Sequence, residues 1–374
     1  MIRVLVAEDS YAARLLIVAL LESDPEIEVV GQAHDGEAAV AEARRLRPDV
    51  ITMDIHMPLL DGLDATARIM SEAPVPIVVV SSAVNPRDVA STFDAIKAGA
   101  LVALPKPSSG MDREAVEERA IFTATVKAMA RVKVVRRWSG AFDRVGPPPE
   151  LQATASLRAV SDQSSASGTA VLPGRPRRFG PATPVSLVAM AASTGGPTAL
   201  QTVIGALPAN FPAPIVVVQH IAKGFLDGFA HWLNSECAIS VRVARPGETL
   251  EPGSVYIAQD DVHLGVTPSR QTVAIRTEPV NGFRPSASVL FESAANAYGA
   301  GLAAVILTGM GSDGVSGLRR VRDKGGYVIA QDEATSLIYG MPGEAVAAGV
   351  VDLSLSIGLI GPHLMKITAR VGEG

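Results

Sequence analysis

The chain has 374 residues, enough for two domains that each bury a core of their own. Its 48% hydrophobic and 19% charged residues exclude a disordered chain, and a formal net charge of −5 argues against a nucleic-acid-binding surface. The single cysteine, Cys237, cannot close an internal disulfide or build a multi-thiolate metal site, which fits a reducing compartment.

From the start, "MIRVLVAEDS" carries charges early and lacks the long apolar core of a secretory signal. The longest apolar runs, "LLIVALL" and "PIVVVQ", fall short of the roughly 20 residues of a membrane span. A soluble, cytoplasmic protein, not inserted in a membrane, is expected. Up to about residue 107, short β-branched runs ("IRVLVAE", "EVVGQA", "DVITMDI", "PIVVVSS", "ALVALP") alternate with segments of helical periodicity. A last helix is predicted at about 112–133. Five strand–helix repeats imply a parallel sheet covered on both faces. Residues 136–183 change character: rich in Pro, Ser, Gly and Ala, they read as a flexible linker. The alternation then resumes, with strands predicted at "VSLVAMAAS", "PIVVVQHI", "SVRVARP", "SVYIAQ", "AAVILTGM" and "GYVIAQD". Helices are predicted at "PTALQTVIGAL", "FLDGFAHWLNSE", "ASVLFESAANAYGA" and "DGVSGLRRVRDKG", so the second half is again α/β.

In open parallel sheets the working residues sit at the C-terminal strand ends. In the first half those ends carry Glu8 and Asp9, then Asp54, then Ser81 and Ser82, then Lys106. Converging carboxylates repel unless a hard cation sits among them, and oxygen ligands suit Mg²⁺. One carboxylate could then attack phosphorus, with a hydroxyl and an ammonium holding the new phosphoryl oxygens. Acidic strand ends are also common as solvated loop groups.

"VAEDS", "ITMDIHMPLLDG", "VVVSSA" and "ALPKP" together resemble the receiver domain of bacterial response regulators, over residues 1–125. The resemblance implies Asp54 as phosphoacceptor, Glu8 and Asp9 with Asp54 as Mg²⁺ ligands, Ser81 as switch hydroxyl and Lys106 as phosphate-sensing ammonium. A histidine kinase of the chemotaxis type would supply the phosphate.

In the second half, "TGMGSDG" spaces three glycines as G-x-G-x-x-G after a strand, with Asp332 and Glu333 about 20 residues on, as a dinucleotide site would require. Against that reading, Asp313 would set a negative charge beside the pyrophosphate, and the strand comes late in the domain. Other strand ends offer different chemistry. "AASTGGP" puts Ser193 and Thr194 in a tight strand-to-helix turn, "VVVQHI" ends in His220, and Asp313 follows the late strand. A serine nucleophile needs a base for its proton and an acid to orient that base. Each residue also has a plainer role open to it: Ser193 as a helix cap, His220 as a satisfied core histidine, Asp313 as an N-cap.

"AASTGGP", "VVVQHI", "VYIA…HL", "FRPSASVLFESAA", "VILTGMGSDG" and "AQDEATSLIYGMPGEAV" are similar, as an ordered set over 185–352, to the catalytic domain of the chemotaxis protein-glutamate methylesterases. The resemblance implies a Ser193–His220–Asp313 triad, with oxyanion donors near Met310 and Thr194. It implies two doubly wound parallel-sheet α/β domains: a flavodoxin-like receiver (1–125) and a Rossmann-like methylesterase domain (184–370). Residues 126–183 would hold the helix end and linker. The implied activity is hydrolysis of glutamate methyl esters, and deamidation of glutamines, on methyl-accepting chemoreceptors, giving sensory adaptation. No cofactor is expected for ester hydrolysis. The unphosphorylated receiver is expected to pack over the active-site edge and restrict access. Departures from the family pattern fall at His56, Ala191, Ile221–Ala222 and Ser288, none of them a chemical residue. A signalling adaptor with an idle second domain is the alternative.

Overall fold

The computed structural model describes residues 1–82, 86–132, 134, 180–181 and 183–368, with the backbone alone at 86–91, 113, 114 and 117. The expected linker falls largely on residues 135–179, outside the described residues.

The N-terminal sheet has five parallel strands, β1 (Ile2–Ala7), β2 (Ile27–Ala33), β3 (Val50–Asp54), β4 (Ile77–Ser81) and β5 (Val102–Pro105). Their order is β2-β1-β3-β4-β5, the flavodoxin-like winding. The helices between and after them are α1 (Tyr11–Glu22), α2 (Gly36–Leu46), α3 (Gly62–Glu72), α4 (Pro86–Ala98) and α5 (Arg113–Met129). Side-chain alternation divides each central strand between two cores: Leu5, Ile51 and Val79 face one, Val4, Val6, Val50, Val78 and Val80 the other. Both faces are therefore dry, which is why these strands read as unbroken β-branched runs. Ser10, Asp35, Asp61 and Asp112 each accept an N–H from three residues on, starting four of the helices.

The second sheet comprises seven parallel strands. They are β6 (Leu187–Ala192), β7 (Ile215–Gln219), β8 (Ser240–Val243), β9 (Ser254–Ile257), β12 (Leu302–Ile306), β13 (Tyr327–Gln331) and β14 (Leu353–Leu355). A separate antiparallel hairpin joins β10 (His263–Val266) to β11 (Thr272–Ile275). The helices are α6 (Gly196–Gly205), α7 (Leu226–Glu236), α8 (Ala287–Tyr298), α9 (Val315–Asp323), α10 (Met341–Ala347) and α11 (Ile357–Thr368). Sheet order is β14-β13-β12-β6-β7-β9-β8. The hairpin, β14, α10 and α11 were not predicted. Gly265 interrupts β10, β11 shows no alternation of burial, β14 has three residues, and α11 holds Pro362 and two glycines that read as breakers.

The two halves meet through α4 and α7. Phe93 is 1% exposed and stacks on Trp232, ring centroids 5.3 Å apart, with Phe229 at 5.6 Å. Lys97 Nζ reaches Glu236 Oε1 at 2.9 Å beside them. Leu337 and Ile338, between β13 and α10, pack on the N-terminal core that contains Val78, Val80 and Leu104.

Candidate active site

At the N-terminal sheet edge, carboxylate oxygens of Glu8, Asp9 and Asp54 all lie within 4.8 Å of one another. Lys106 Nζ donates to Glu8 Oε1 and to Asp54 Oδ2, each at 2.9 Å. Burial pushes the Glu8 carboxyl above its usual range, against the pull of Lys106. Burial would lower Lys106, but its bonds to Glu8 and Asp54 outweigh it and hold the ammonium above its ordinary value. Asp54 accepts the Ile55 N–H at 2.7 Å, and Lys106 N–H donates to the Ser81 carbonyl at 3.1 Å, tying β5 to β4 at the same edge. Glu8 Oε2 and Ser81 Oγ are buried with no hydrogen-bond partner among the described residues. An orphaned carboxylate oxygen amid three acids fits a divalent cation there.

The second sheet has its topological switch at β6. The chain winds from β6 to β7 on one side and later returns to β12 on the other, which opens a crevice at the carboxyl ends of all three. Ala192 pairs with Gln219, so Ser193 and His220 leave the sheet side by side, and His220 N–H donates to the Ala192 carbonyl at 2.9 Å. Ser193 N–H donates at 3.0 Å to the carbonyl of Thr308, just past β12. Ser193 does not cap α6. The N-cap position of that helix is Gly195, φ 78°, which offers no side-chain cap, and Pro197 stands in its first turn.

Asp313 is 1% exposed and caps α8 rather than its own helix. Its Oδ1 accepts from Ser286 Oγ (2.8 Å), Gly314 N–H (2.9 Å) and Ser288 N–H (3.2 Å). Its Oδ2 accepts from Ala287 N–H at 2.7 Å and lies 3.0 Å from His220 Nε2. Burial works against the charge, yet His220, Ser286 and Ala287 win, and the carboxyl is lowered to about 2. The N-terminus of α8 adds a favourable dipole. Neither ring nitrogen of the buried His220 side chain completes a well-aligned hydrogen bond among the described residues, Nε2 meeting Asp313 as a 3.0 Å charge contact and Nδ1 meeting no partner, so the ring is not a satisfied core histidine. One face of it is covered by Phe283, centroids 4.1 Å apart and 7° from parallel.

The glycine motif serves this crevice. A Cβ on Gly309 would sit 2.7 Å from the Ser193 Cβ, so only glycine allows the two strand ends to close up. Gly311 and Gly314 take φ of 86° and 100°. Asp332 accepts from Thr335 N–H (3.0 Å) and Oγ1 (2.6 Å), so that carboxylate shapes a local turn. Thr194 presents its carbonyl to Thr308 Oγ1 at 3.0 Å, and the half-buried Met310 donates its N–H to no acceptor among the described residues.

Several residues around the crevice escaped the sequence reading. Gln219 Nε2 donates to the carbonyls of both Ser193 (2.9 Å) and His220 (2.8 Å). Gln331 Oε1 accepts the Thr308 N–H at 2.8 Å, and Thr308 Oγ1 accepts the Ile338 N–H at 2.9 Å. A glutamine closing an otherwise apolar buried strand, as in "IVVVQ" and "YVIAQ", is the signal, since such an amide must find partners.

Known families match both halves. Residues 4–116 match the response regulator receiver domain, and residues 188–364 match the CheB methylesterase family. A receiver joined to a methylesterase domain is thus the class. Protein-glutamate methylesterase/protein-glutamine glutaminase 4 of Myxococcus xanthus is 48% identical over 93% of this chain and 92% of its own length. The protein-glutamate methylesterase/protein-glutamine glutaminase of Nitrosospira multiformis is 42% identical over 100% of this chain and 99% of its own. The solved methylesterase catalytic domain of Thermotoga maritima CheB is 39% identical, covers 49% of this chain and 99% of that one, and superposes with a TM-score of 0.48. The chain belongs to the protein-glutamate methylesterase/protein-glutamine glutaminase family. No helix among the described residues is long and apolar enough to cross a membrane.

Proposed function

We propose that the chain is a phosphorylation-controlled esterase of the cytoplasm. It hydrolyses γ-glutamyl methyl esters on methyl-accepting chemoreceptors, and deamidates glutamines there, through Ser193, His220 and Asp313. The observation that carries the reading is the convergence of these residues at the switch point, with Asp313 held 3.0 Å from His220 Nε2. With Nε2 turned to Asp313, Nδ1 is the nitrogen left for the Ser193 proton. Ser193 Oγ attacks the ester carbonyl as its proton passes to Nδ1, and Asp313 steadies the imidazolium. The oxyanion is held by backbone N–H groups near Met310 and Thr194. The tetrahedral centre collapses, and methanol leaves with the proton from Nδ1. Water then attacks the acyl-enzyme, giving a proton to Nδ1, and on collapse Nδ1 passes that proton to the departing Ser193 Oγ, leaving glutamate and free Ser193. A glutamine amide follows the same path with ammonia as the leaving group.

In the receiver, Asp54 accepts the phosphoryl group from a histidine kinase. Glu8, Asp9 and Asp54 would hold a Mg²⁺, whose charge would offset the carboxylates and the incoming phosphate. Lys106, bound to Asp54 before phosphorylation, would pair with the new phosphoryl oxygens, and the Ser81 hydroxyl, without a partner among the described residues, can turn to them. The packing of α4 on α7, and of Leu337 and Ile338 on the receiver core, supports restricted access in the unphosphorylated chain.

The test is methanol release from methylated receptor membranes, with and without acetyl phosphate and Mg²⁺. Release lost in Ser193→Ala, and raised by acetyl phosphate only when Asp54 is intact, is the expected result. No release under any of these conditions would favour the adaptor reading.

A further inference from the structure

The segment from β11 to α8 forms an arm over the crevice, and none of its residues takes part in the proton transfers above. It is pinned at both ends by His263, which is fully buried. His263 Nδ1 accepts the Ser286 N–H at 3.1 Å, so Nε2 carries the proton and donates it to the Glu278 carbonyl at 3.1 Å. Arg284 anchors the middle, donating to Asp261 Oδ1 through Nε (2.8 Å) and Nη2 (2.6 Å). Between these anchors Val280 and Phe283 exchange both backbone hydrogen bonds, at 3.1 and 3.0 Å. The two residues in the turn, Asn281 and Gly282, have φ of 52° and 83°, the pair of left-handed conformations that Asn-Gly adopts most readily. This tight turn delivers the Phe283 ring flat onto the His220 imidazole, 4.1 Å away and 7° from parallel.

We propose that Phe283 is a positioning residue for the general base, an inference that rests on the catalytic reading of His220. The ring acts in two ways. Its bulk blocks the imidazole from swinging away from Asp313, whose contact engages only one ring nitrogen. Its π face also meets the imidazolium that forms when Ser193 gives up its proton, and a cation over an aromatic face is stabilised where a neutral ring gains less. The second effect grows along the reaction coordinate, so it lowers the barrier rather than tightening substrate binding. Ser193, His220 and Asp313 touch the reacting atoms or the base directly, whereas Phe283 acts only through His220.

The experiment uses the full chain, activated with acetyl phosphate and Mg²⁺, and measures kcat and KM for methanol release from methylated receptor membranes. Inactivation of Ser193 by a fluorophosphonate is followed in parallel, because that small probe reports the serine–histidine pair without receptor contacts. Phe283→Leu keeps apolar bulk but loses the π face. Its kcat and its inactivation rate are expected to fall together, roughly 5- to 30-fold, with KM within about twofold. Phe283→Tyr is expected to restore both to within about twofold. Gly282→Ala, which strains the turn and leaves the aromatic ring in place, should lower both rates without changing KM. Wild-type kcat in Phe283→Leu, or a raised KM with unchanged kcat, would overturn the inference, the latter making the arm a receptor contact. Equal loss in the Leu and Tyr variants would also overturn it. Ser193→Ala and His220→Ala separate the two readings. If these variants keep activity, the triad itself is wrong. If they lose it while Phe283→Leu matches wild type, only the role of Phe283 fails.

Discussion

Replacing Asp313 with asparagine removes one charge and almost no volume, so its effects can be worked out from the bonds the carboxylate makes. Oδ1 accepts three donors and Oδ2 accepts the Ala287 N–H beside His220, so whichever way a carboxamide is turned, its NH₂ meets a backbone N–H. A buried donor left facing another donor costs about 1–3 kcal/mol. The charge has its own share. Folding lowers this carboxyl from its ordinary 3.8 to about 2, which at 1.36 kcal/mol per unit is worth about 2 kcal/mol at neutral pH. The pKa is depressed in the folded protein, so that stability is fully present above about pH 4 and drains away as pH falls toward about 2. Urea unfolding of the two proteins should therefore differ by about 3–5 kcal/mol from pH 7 down to pH 5. The gap should narrow as the pH drops from 4 to 3. Turnover at pH 7 should fall by roughly 10²- to 10⁴-fold, because the imidazolium loses its counter-charge and the ring its orienting partner. A stability gap that stays constant down to pH 3, or an unfolding curve for Asp313→Asn identical to wild type at pH 7, would refute the reasoning.

Other outcomes follow from the same contacts. Gly309→Ala puts a methyl 2.7 Å from the Ser193 Cβ, so methanol release should drop at least about tenfold while thermal melting shows about 1–3 kcal/mol of strain. Gln219→Leu strips the amide donor from the carbonyls of Ser193 and His220. Chemical denaturation should register about 1–3 kcal/mol, and an unchanged midpoint would mean that the brace is dispensable. Phe93→Ala removes the ring that stacks on Trp232 and Phe229 between the domains. About 2 kcal/mol lost from that contact would shift the closed-to-open ratio roughly 30-fold, so activity without phosphate donor should rise toward the phosphorylated level. Basal activity equal to wild type would show that the α4–α7 contact does not restrain the enzyme.

Much of this architecture was visible in the chain itself. Buried parallel strands have to be apolar on both sides, so β3, β4, β6, β7 and β12 stood out as unbroken runs, every residue of them buried. The residues that end such runs are then few, and Asp54, Ser193 and His220 are among them. The braces were hidden for the opposite reason. Gln219, Thr308 and Gln331 are ordinary polar residues at strand ends, and what they hold depends on which strand lies alongside. The β10–β11 hairpin was lost because Gly265 interrupts the short "HLGV" and neither strand alternates buried with exposed residues. "VNGF" is a recognisable tight turn, but nothing local says that its phenylalanine lands on a histidine from another strand.

The sequence by itself determined the two α/β halves, the boundary composition between them and the residue types at each strand end, because propensity, burial and turn chemistry act over a few neighbours. Only the tertiary structure decided that β6 lies between β7 and β12, that Asp313 caps α8 while touching His220 Nε2, and that Phe283 covers the imidazole. Those contacts join segments far apart in the chain, and their pairing is selected by the packing of the whole sheet, which no single stretch of sequence encodes.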